Sequence, residues 1–284
     1  MRQARLLILL LVAATVLVDL VALSVLAYNE GFPVVWPHPA LLVLYSLSLS
    51  QVSLAALWSG FGARSLPWRV MGLVLTIVFW GALVAAWVTP DERAELQTIW
   101  IVLLLAQTVG ILVPLSIARL KGLKLLSPST AGSTGQTVCG RPLLQFSLGY
   151  LLSWITAVAV VLGLLQYTVD YRFLLSILQH LWWEISVVSV GHAGLGLAAL
   201  WAMLGTRRPA LRTSVVALTT AAVIVAWKES EDADVNDLVR YAALCLLDLL
   251  WLVASLWVVR VAGYRVVRRP RAGLEQSPGP EGDG

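Results

Sequence analysis

The chain has 284 residues, of which 59% are hydrophobic and 13% are charged, and its formal net charge is +4. Soluble domains carry about 25% charged residues, so this chain has too few charges to cover a surface that faces water. The composition therefore excludes an ordinary soluble protein and predicts lipid as the solvent. Because the basic residues cluster at helix ends and not on one face, the charge does not indicate nucleic-acid binding.

Eight stretches along the chain are long and apolar enough to cross a membrane, which takes about 20 residues. The expected fold is an all-α membrane protein with about eight transmembrane helices. The first span has the flanks of a signal peptide, but its apolar run is longer than an ordinary one and contains Asp19. The predicted spans are residues 6–28, 40–61, 70–88, 96–118, 147–167, 181–204, 211–227 and 239–262.

A polar segment at residues 119–146 is the only long interruption among the spans. It is rich in Ser, Thr and Gly and carries basic but no acidic residues, so we interpret it as a cytoplasmic linker. The linker separates a first four-span half, residues 1–118, from a second four-span half, residues 147–264. Residues 265–284 are predicted to be a basic and then disordered cytoplasmic tail.

The basic residues also predict the orientation of the spans. In an eight-span arrangement, 16 of the 20 Lys and Arg residues fall on the side that holds both termini. Positive residues favour the cytoplasmic side of a membrane. Both termini are therefore predicted to be cytoplasmic.

The loops of the two halves resemble each other. The sequence GARSLPWR at residues 62–69 has its counterpart in GTRRPALR at residues 205–212, and Arg119 and Arg260 close the fourth and eighth spans. These offsets of about 140 to 143 residues predict two parallel four-helix repeats related by an axis along the membrane normal. The alternative is that any eight-span protein alternates basic and acidic loops.

The fifth predicted span begins with a stretch that resembles a helix start found in uncharacterised planctomycete multi-pass membrane proteins. The resemblance covers about 25 residues from Arg141, and Gly149 stands where those proteins usually have Arg. It implies a bacterial inner-membrane protein and carries no function with it. The matching residues are Gln145, Phe146, Ser147, Leu148, Leu151 and Leu152.

Four polar residues are predicted near the middle of the bilayer: Asp19, Gln107, His192 and Asp248. Such groups are costly in contact with lipid and usually face a bundle interior or a water-filled cavity. We expect the three ionisable residues to approach one another, with Gln107 supplying an amide. If they surround water, they could exchange protons during solute transport. The alternative is that each merely forms a hydrogen bond that helps the helices to pack.

A second pair, His180 and Glu184, lies one helical turn apart at the predicted outer interface. The two side chains could be metal ligands, but a zinc site needs at least three, so a hydrogen bond between them is the favoured interpretation. No catalytic residues, metal site or cofactor are predicted.

Three functions remain open from the sequence. The favoured one is a non-enzymatic scaffold or a subunit of a membrane complex, because short loops leave no soluble catalytic module. The alternative is a small-solute or ion transporter, coupled to protons through the mid-bilayer residues. A membrane-embedded enzyme ranks last. The expected partners are the lipid bilayer and other membrane proteins, and no nucleic acid.

Overall fold

The computed structural model describes six long helices and a two-stranded sheet. The described residues are 39–61, 66–85, 90–121, 123–126, 179, 181–205, 209–231 and 234–268, with 6, 10, 13–15, 17, 18, 21 and 24 near the N-terminus. The helices are α1 (Pro39–Phe61), α2 (Leu66–Ala85), α3 (Pro90–Leu120), α4 (Trp182–Leu204), α5 (Pro209–Glu231) and α6 (Val235–Val261). The strands are β1 (Leu123–Leu126) and β2 (Arg265–Arg268).

All six helices are long and apolar enough to cross a membrane, as expected for a multi-pass membrane protein. They confirm the predicted spans at 40–61, 70–88, 96–118, 181–204, 211–227 and 239–262. The largest difference is in α3, which begins at Pro90 and not at residue 96. Of the predicted span 6–28 only scattered residues are described, and the predicted span 147–167 lies outside the described residues.

Local sequence signals explain where several helices begin and end. Three of them begin at a proline, whose fixed backbone angle and missing N–H suit the first helical position. The helix α6 begins after Asp234, whose carboxylate accepts the backbone N–H of Asp237 at 2.8 Å. It ends before Gly263, which adopts a φ of 90° that favours glycine. This turn directs the chain into β2.

The helices α1 and α4 lie at the centre of the described bundle. The helix α1 packs against α2, α3 and α6, whereas α4 packs against α5, α3 and α6. The core residues Leu44, Ile101, Leu104, Leu195 and Leu252 are completely buried. Large apolar side chains cover the outer helix faces, as lipid-facing surfaces require.

Arginine side chains tie together the ends of the first three helices. The buried Arg69 of α2 donates a hydrogen bond to the carbonyl oxygen of Ser59 in α1. Arg119 in the last turn of α3 donates to the carbonyl oxygen of Gly60 at 2.7 Å. The last four carbonyl groups of a helix have no partner within that helix. These guanidinium groups therefore satisfy the end of α1 and hold α2 and α3 against it.

The same kind of contact closes the last three helices. Arg212 of α5 donates to the carbonyl oxygen of Ala202 at 3.1 Å, and Arg260 of α6 donates to that of Met203 at 2.8 Å. Both carbonyl groups belong to the last turn of α4, which lacks partners of its own. The end of α4 is therefore held by its two neighbours.

The strands β1 and β2 form an antiparallel pair that was not predicted from the sequence. Leu123 pairs with Arg268, and Leu126 pairs with Arg265. The first strand lies in the predicted linker, and the second lies at the start of the predicted tail. The pair joins the chain that follows α3 to the chain that follows α6.

Candidate functional site

The shortest polar contact between described helices joins His192 of α4 to Asp248 of α6. The imidazole Nδ1 lies 2.6 Å from the carboxylate Oδ2, and both side chains are completely buried. The two residues sit near the middle of their helices. A contact of this length between an imidazole nitrogen and a carboxylate oxygen needs a proton between them. The pair therefore binds one proton in the interior of the bundle.

One face of α6 supplies most of the surroundings of this pair. Tyr241, Cys245 and Asp248 follow one another at spacings of four and three residues, which places them on one side of the helix. The Cys245 thiol interacts with His192. The Tyr241 ring stands edge-on to the imidazole, with the ring centres 6.1 Å apart. Trp227 of α5 stacks on Tyr241 at 4.4 Å, so an aromatic stack covers the pair on this side.

Two buried polar atoms of the pair remain without a hydrogen-bond partner among the described residues. They are Nε2 of His192 and Oδ1 of Asp248. Buried polar atoms of this kind call for an explanation, since leaving one unsatisfied costs about 1–3 kcal/mol. The pair can therefore accept or donate a further hydrogen bond, to a water molecule for example.

A second polar contact links α3 to α1. The Gln107 side-chain amide nitrogen donates to the Leu49 carbonyl oxygen at 3.0 Å and to the Ser53 hydroxyl at 2.7 Å. Gln107 is completely buried, and its Oε1 has no partner among the described residues. Close to it, Ser189 of α4 donates to the Leu103 carbonyl oxygen of α3 at 3.0 Å. These bonds connect α1, α3 and α4 at mid-helix depth.

The structure thus brings together two of the four predicted mid-bilayer residues, His192 and Asp248. Gln107 lies inside the bundle, but its amide nitrogen binds α1. Asp19 lies outside the described residues. Of the predicted interface pair, Glu184 is half-buried in the first turn of α4, and His180 lies outside the described residues.

Sequence reasoning missed the groups that surround these residues. Cys245 and Tyr241 could have been found from their helical spacing to Asp248. Ser53 belongs to a run of serines inside an otherwise apolar span, and buried serines there have to find hydrogen-bond partners. Trp227 gives no comparable signal, because its position relative to α6 depends on how the helices pack.

Among the residues that the structure describes, no group of three or more His, Cys, Asp or Glu side chains is placed to hold a metal ion. The site is therefore described by its own protons and hydrogen bonds. Comparison of the chain with models of known families, with curated proteins and with solved structures finds no match.

Proposed function

We propose that the chain has eight spans arranged as two parallel halves, with both termini in the cytoplasm of a bacterial cell. The support comes first from the arginine contacts. Arg69 and Arg212 are 143 residues apart, as are the residues whose carbonyl groups they bind, Ser59 and Ala202. The bonds made by Arg119 and Arg260 correspond in the same way. Coincidence of side chain, target and spacing favours a duplicated unit over mere alternation of loop charge.

Contacts between the helices support the same arrangement. Exchanging α1, α2 and α3 for α4, α5 and α6 converts the contact of α3 with α4 into that of α6 with α1, and both contacts exist. The strand register is also preserved by such an exchange, since Leu123 pairs with Arg268 and Leu126 with Arg265. Both observations are expected for halves related by a two-fold axis along the membrane normal.

The mid-membrane polar contacts fit this scheme as well. Gln107 and Asp248 correspond, and Leu49 corresponds to His192, at offsets of 141 and 143 residues. The first half uses a side-chain amide against a backbone carbonyl, whereas the second half uses a carboxylate against an imidazole. The second half therefore carries an ionisable version of a helix contact that the first half makes with neutral groups.

From this geometry we infer that the protein is a non-enzymatic scaffold or a subunit of a membrane complex. The observation that carries the proposal is the use of His192, Asp248 and Gln107 in contacts between helices, with all three side chains completely buried. Buried polar contacts of this kind fix the arrangement of helices in a bilayer. A bundle held rigidly in this way suits a protein whose task is to position partners in the membrane.

Proton-coupled transport is the second candidate function. It is favoured by the unpartnered Nε2 of His192 and Oδ1 of Asp248, which could take part in proton transfer. In this alternative, the shared proton leaves the pair during the transport cycle.

Two measurements separate the candidates. The scaffold proposal predicts that the protein, gently extracted from its native membrane, migrates as a complex of defined stoichiometry. It also predicts that proteoliposomes of purified protein hold a pH gradient as well as protein-free liposomes do. A monomer in the extract would contradict the scaffold. Collapse of the gradient by the parent protein, abolished by Asp248→Asn while the variant stays folded, would establish proton movement instead.

A further inference from the structure

A groove opens between α5 and α6 on the second half of the molecule. Its volume is about 550 Å³, within the range of small-molecule sites. Among the residues that line it are Met203 of α4, Val216, Thr220 and Ile224 of α5, and Leu249 and Val253 of α6. The helix α5 packs closely along α4 but only sparsely against α6, which leaves this space.

Small side chains on α5 create the groove. Ala217, Thr220 and Ala221 line it, and the residues 143 positions earlier are Val74, Ile77 and Val78. In the first half, Ile77 is almost completely buried, and α2 packs closely against α3. Replacing these branched side chains by smaller ones removes the atoms that would fill the space between the helices. The groove is therefore written into the sequence of the second half only.

The length of the groove matches one leaflet of a bilayer. It extends along α5 from Thr213 to Ile224, which at 1.5 Å per residue is about 16 Å. The hydrocarbon core of a membrane is about 30 Å thick, so the groove reaches from one membrane surface to about the middle. An apolar channel of this depth fits a single acyl chain.

Two guanidinium groups lie at the membrane-surface end of the groove. Arg260 is exposed and donates to the carbonyl oxygen of the groove residue Met203. Arg212 directly precedes Thr213 and is only 8% exposed, and its Nε has no partner among the described residues. Arginine binds phosphate oxygens through several N–H groups at once, and basic sites between membrane helices bind anionic headgroups. The charge at this end therefore complements a phosphodiester.

We propose that the groove between α5 and α6 binds one anionic phospholipid, with an acyl chain between the helices and the phosphate at Arg260 and Arg212. The apolar lining holds the chain, and the two arginines select the headgroup. The site belongs to the second half, because the first half has the corresponding arginines but fills the corresponding space. The proposal does not depend on whether the protein is a scaffold or a transporter.

The test uses the full chain in nanodiscs that contain equal amounts of phosphatidylglycerol and phosphatidylcholine. After release into the gas phase, native mass spectrometry counts the lipids that each chain retains. We expect one retained phosphatidylglycerol. Thr220→Ile combined with Ala221→Val should lower its retention by about tenfold or more, because the new side chains occupy the groove. The control is Ala222→Val, an exposed α5 position outside the groove.

The headgroup is tested by Arg260→Gln against the matched control Arg119→Gln, which removes the corresponding arginine of the first half. Arg260→Gln should lower the preference for phosphatidylglycerol by about fivefold, and Arg119→Gln should leave it unchanged. Equal losses in both variants would overturn the proposal, as would full retention of lipid by a filled groove. Dissociation of a dimer by the filling substitutions, without loss of lipid, would assign the groove to a second copy of the chain.

Folding of each variant is checked by circular dichroism and gel filtration. If the double substitution does not fold, Ala221→Val alone serves as the milder filling variant, and its expected effect is a smaller loss of retained phosphatidylglycerol. Unchanged retention in a folded Ala221→Val variant, together with unchanged selectivity in Arg260→Gln, contradicts the proposal.

Discussion

At the scale of single residues, the buried pair of His192 and Asp248 is expected to dominate the polar contribution to stability. Hydrogen bonds between neutral groups of membrane helices contribute on average about 0.6 kcal/mol. Removing one partner of a buried ionic pair costs more, about 3–5 kcal/mol, because the other partner stays buried without compensation. The Gln107 contact with Ser53 belongs to the first class, and the pair of His192 and Asp248 belongs to the second.

A double-mutant cycle tests this ranking. Asp248→Leu alone should lower the free energy of unfolding by about 3 kcal/mol, whereas His192→Leu combined with Asp248→Leu should recover much of the loss. Gln107→Leu, the matched change in the first half, should cost about 1 kcal/mol. Reversible unfolding in mixed micelles measures each value. A double variant as unstable as the sum of its single variants would show that the pair does not act as a unit.

The depth of these residues could be predicted from sequence, but their partners could not. Counting from span ends places His192, Asp248 and Gln107 near the middle of the membrane, and the structure describes each of them near mid-helix. Their direction depends on the rotation of each helix about its own axis. These spans are apolar on all sides, so no polar stripe identifies the face that turns inward. The contact between His192 and Asp248 therefore becomes visible only in the folded bundle.

At the scale of helices, close approach depends on small residues, as at the contact of α3 with α4. A Cβ atom placed on Gly110 would lie 2.9 Å from the Cβ of Ala193, which is fixed to its backbone and cannot turn away. The two helices can be this close only because Gly110 has no side chain. Small residues play this role widely in membrane bundles.

Gly110→Ala should therefore destabilise the protein by about 1–3 kcal/mol, because the helices have to move apart. Ala193→Gly in the same chain should restore most of the stability, since it removes the atom that clashes. The control is Gly72→Ala, where the nearest atom is a Trp58 ring carbon at 3.8 Å and no clash arises. Thermal unfolding in detergent reports all three. Failure of Ala193→Gly to rescue would place the defect elsewhere than in this contact.

The helices and the strands differ in how far the sequence predicts them. Length and apolar composition were sufficient for six spans, because a membrane helix satisfies its own backbone and needs no partner to be recognised. The helix ends were less accurate, since polar turns such as the one that begins at Pro90 continue the helix beyond the apolar stretch. The strands β1 and β2 have four residues each and pair with distant sequence, so no local pattern announces them.

At the scale of the whole molecule, the described helices are joined by two kinds of connection. Within the bundle, α3 packs on α4 and α1 packs on α6, so each set of three helices contacts the other twice. Beyond the helix ends, β1 pairs with β2. This second connection joins the two segments that the positive-inside rule assigns to the cytoplasm.

The strand pair gives a prediction for the whole molecule. In a chain that carries Cys139→Ser, the substitutions Leu125→Cys and Val266→Cys place two thiols on directly opposed residues. Opposed residues of antiparallel strands have Cα atoms about 4.5–5.5 Å apart, which suits a disulfide. Mild oxidation of membranes should therefore link the two positions, and mass spectrometry of the digested protein should detect the linked peptides.

The matched control combines Leu125→Cys with Arg268→Cys, which are displaced by two residues in the observed register. Diagonal neighbours of this kind lie about 7–8 Å apart, beyond easy reach of a disulfide. The control should therefore cross-link poorly. A membrane-impermeant thiol reagent should block the link only in inverted vesicles if the strands are cytoplasmic. Equal cross-linking of both variants would contradict the strand register, and blocking in right-side-out vesicles would reverse the proposed orientation.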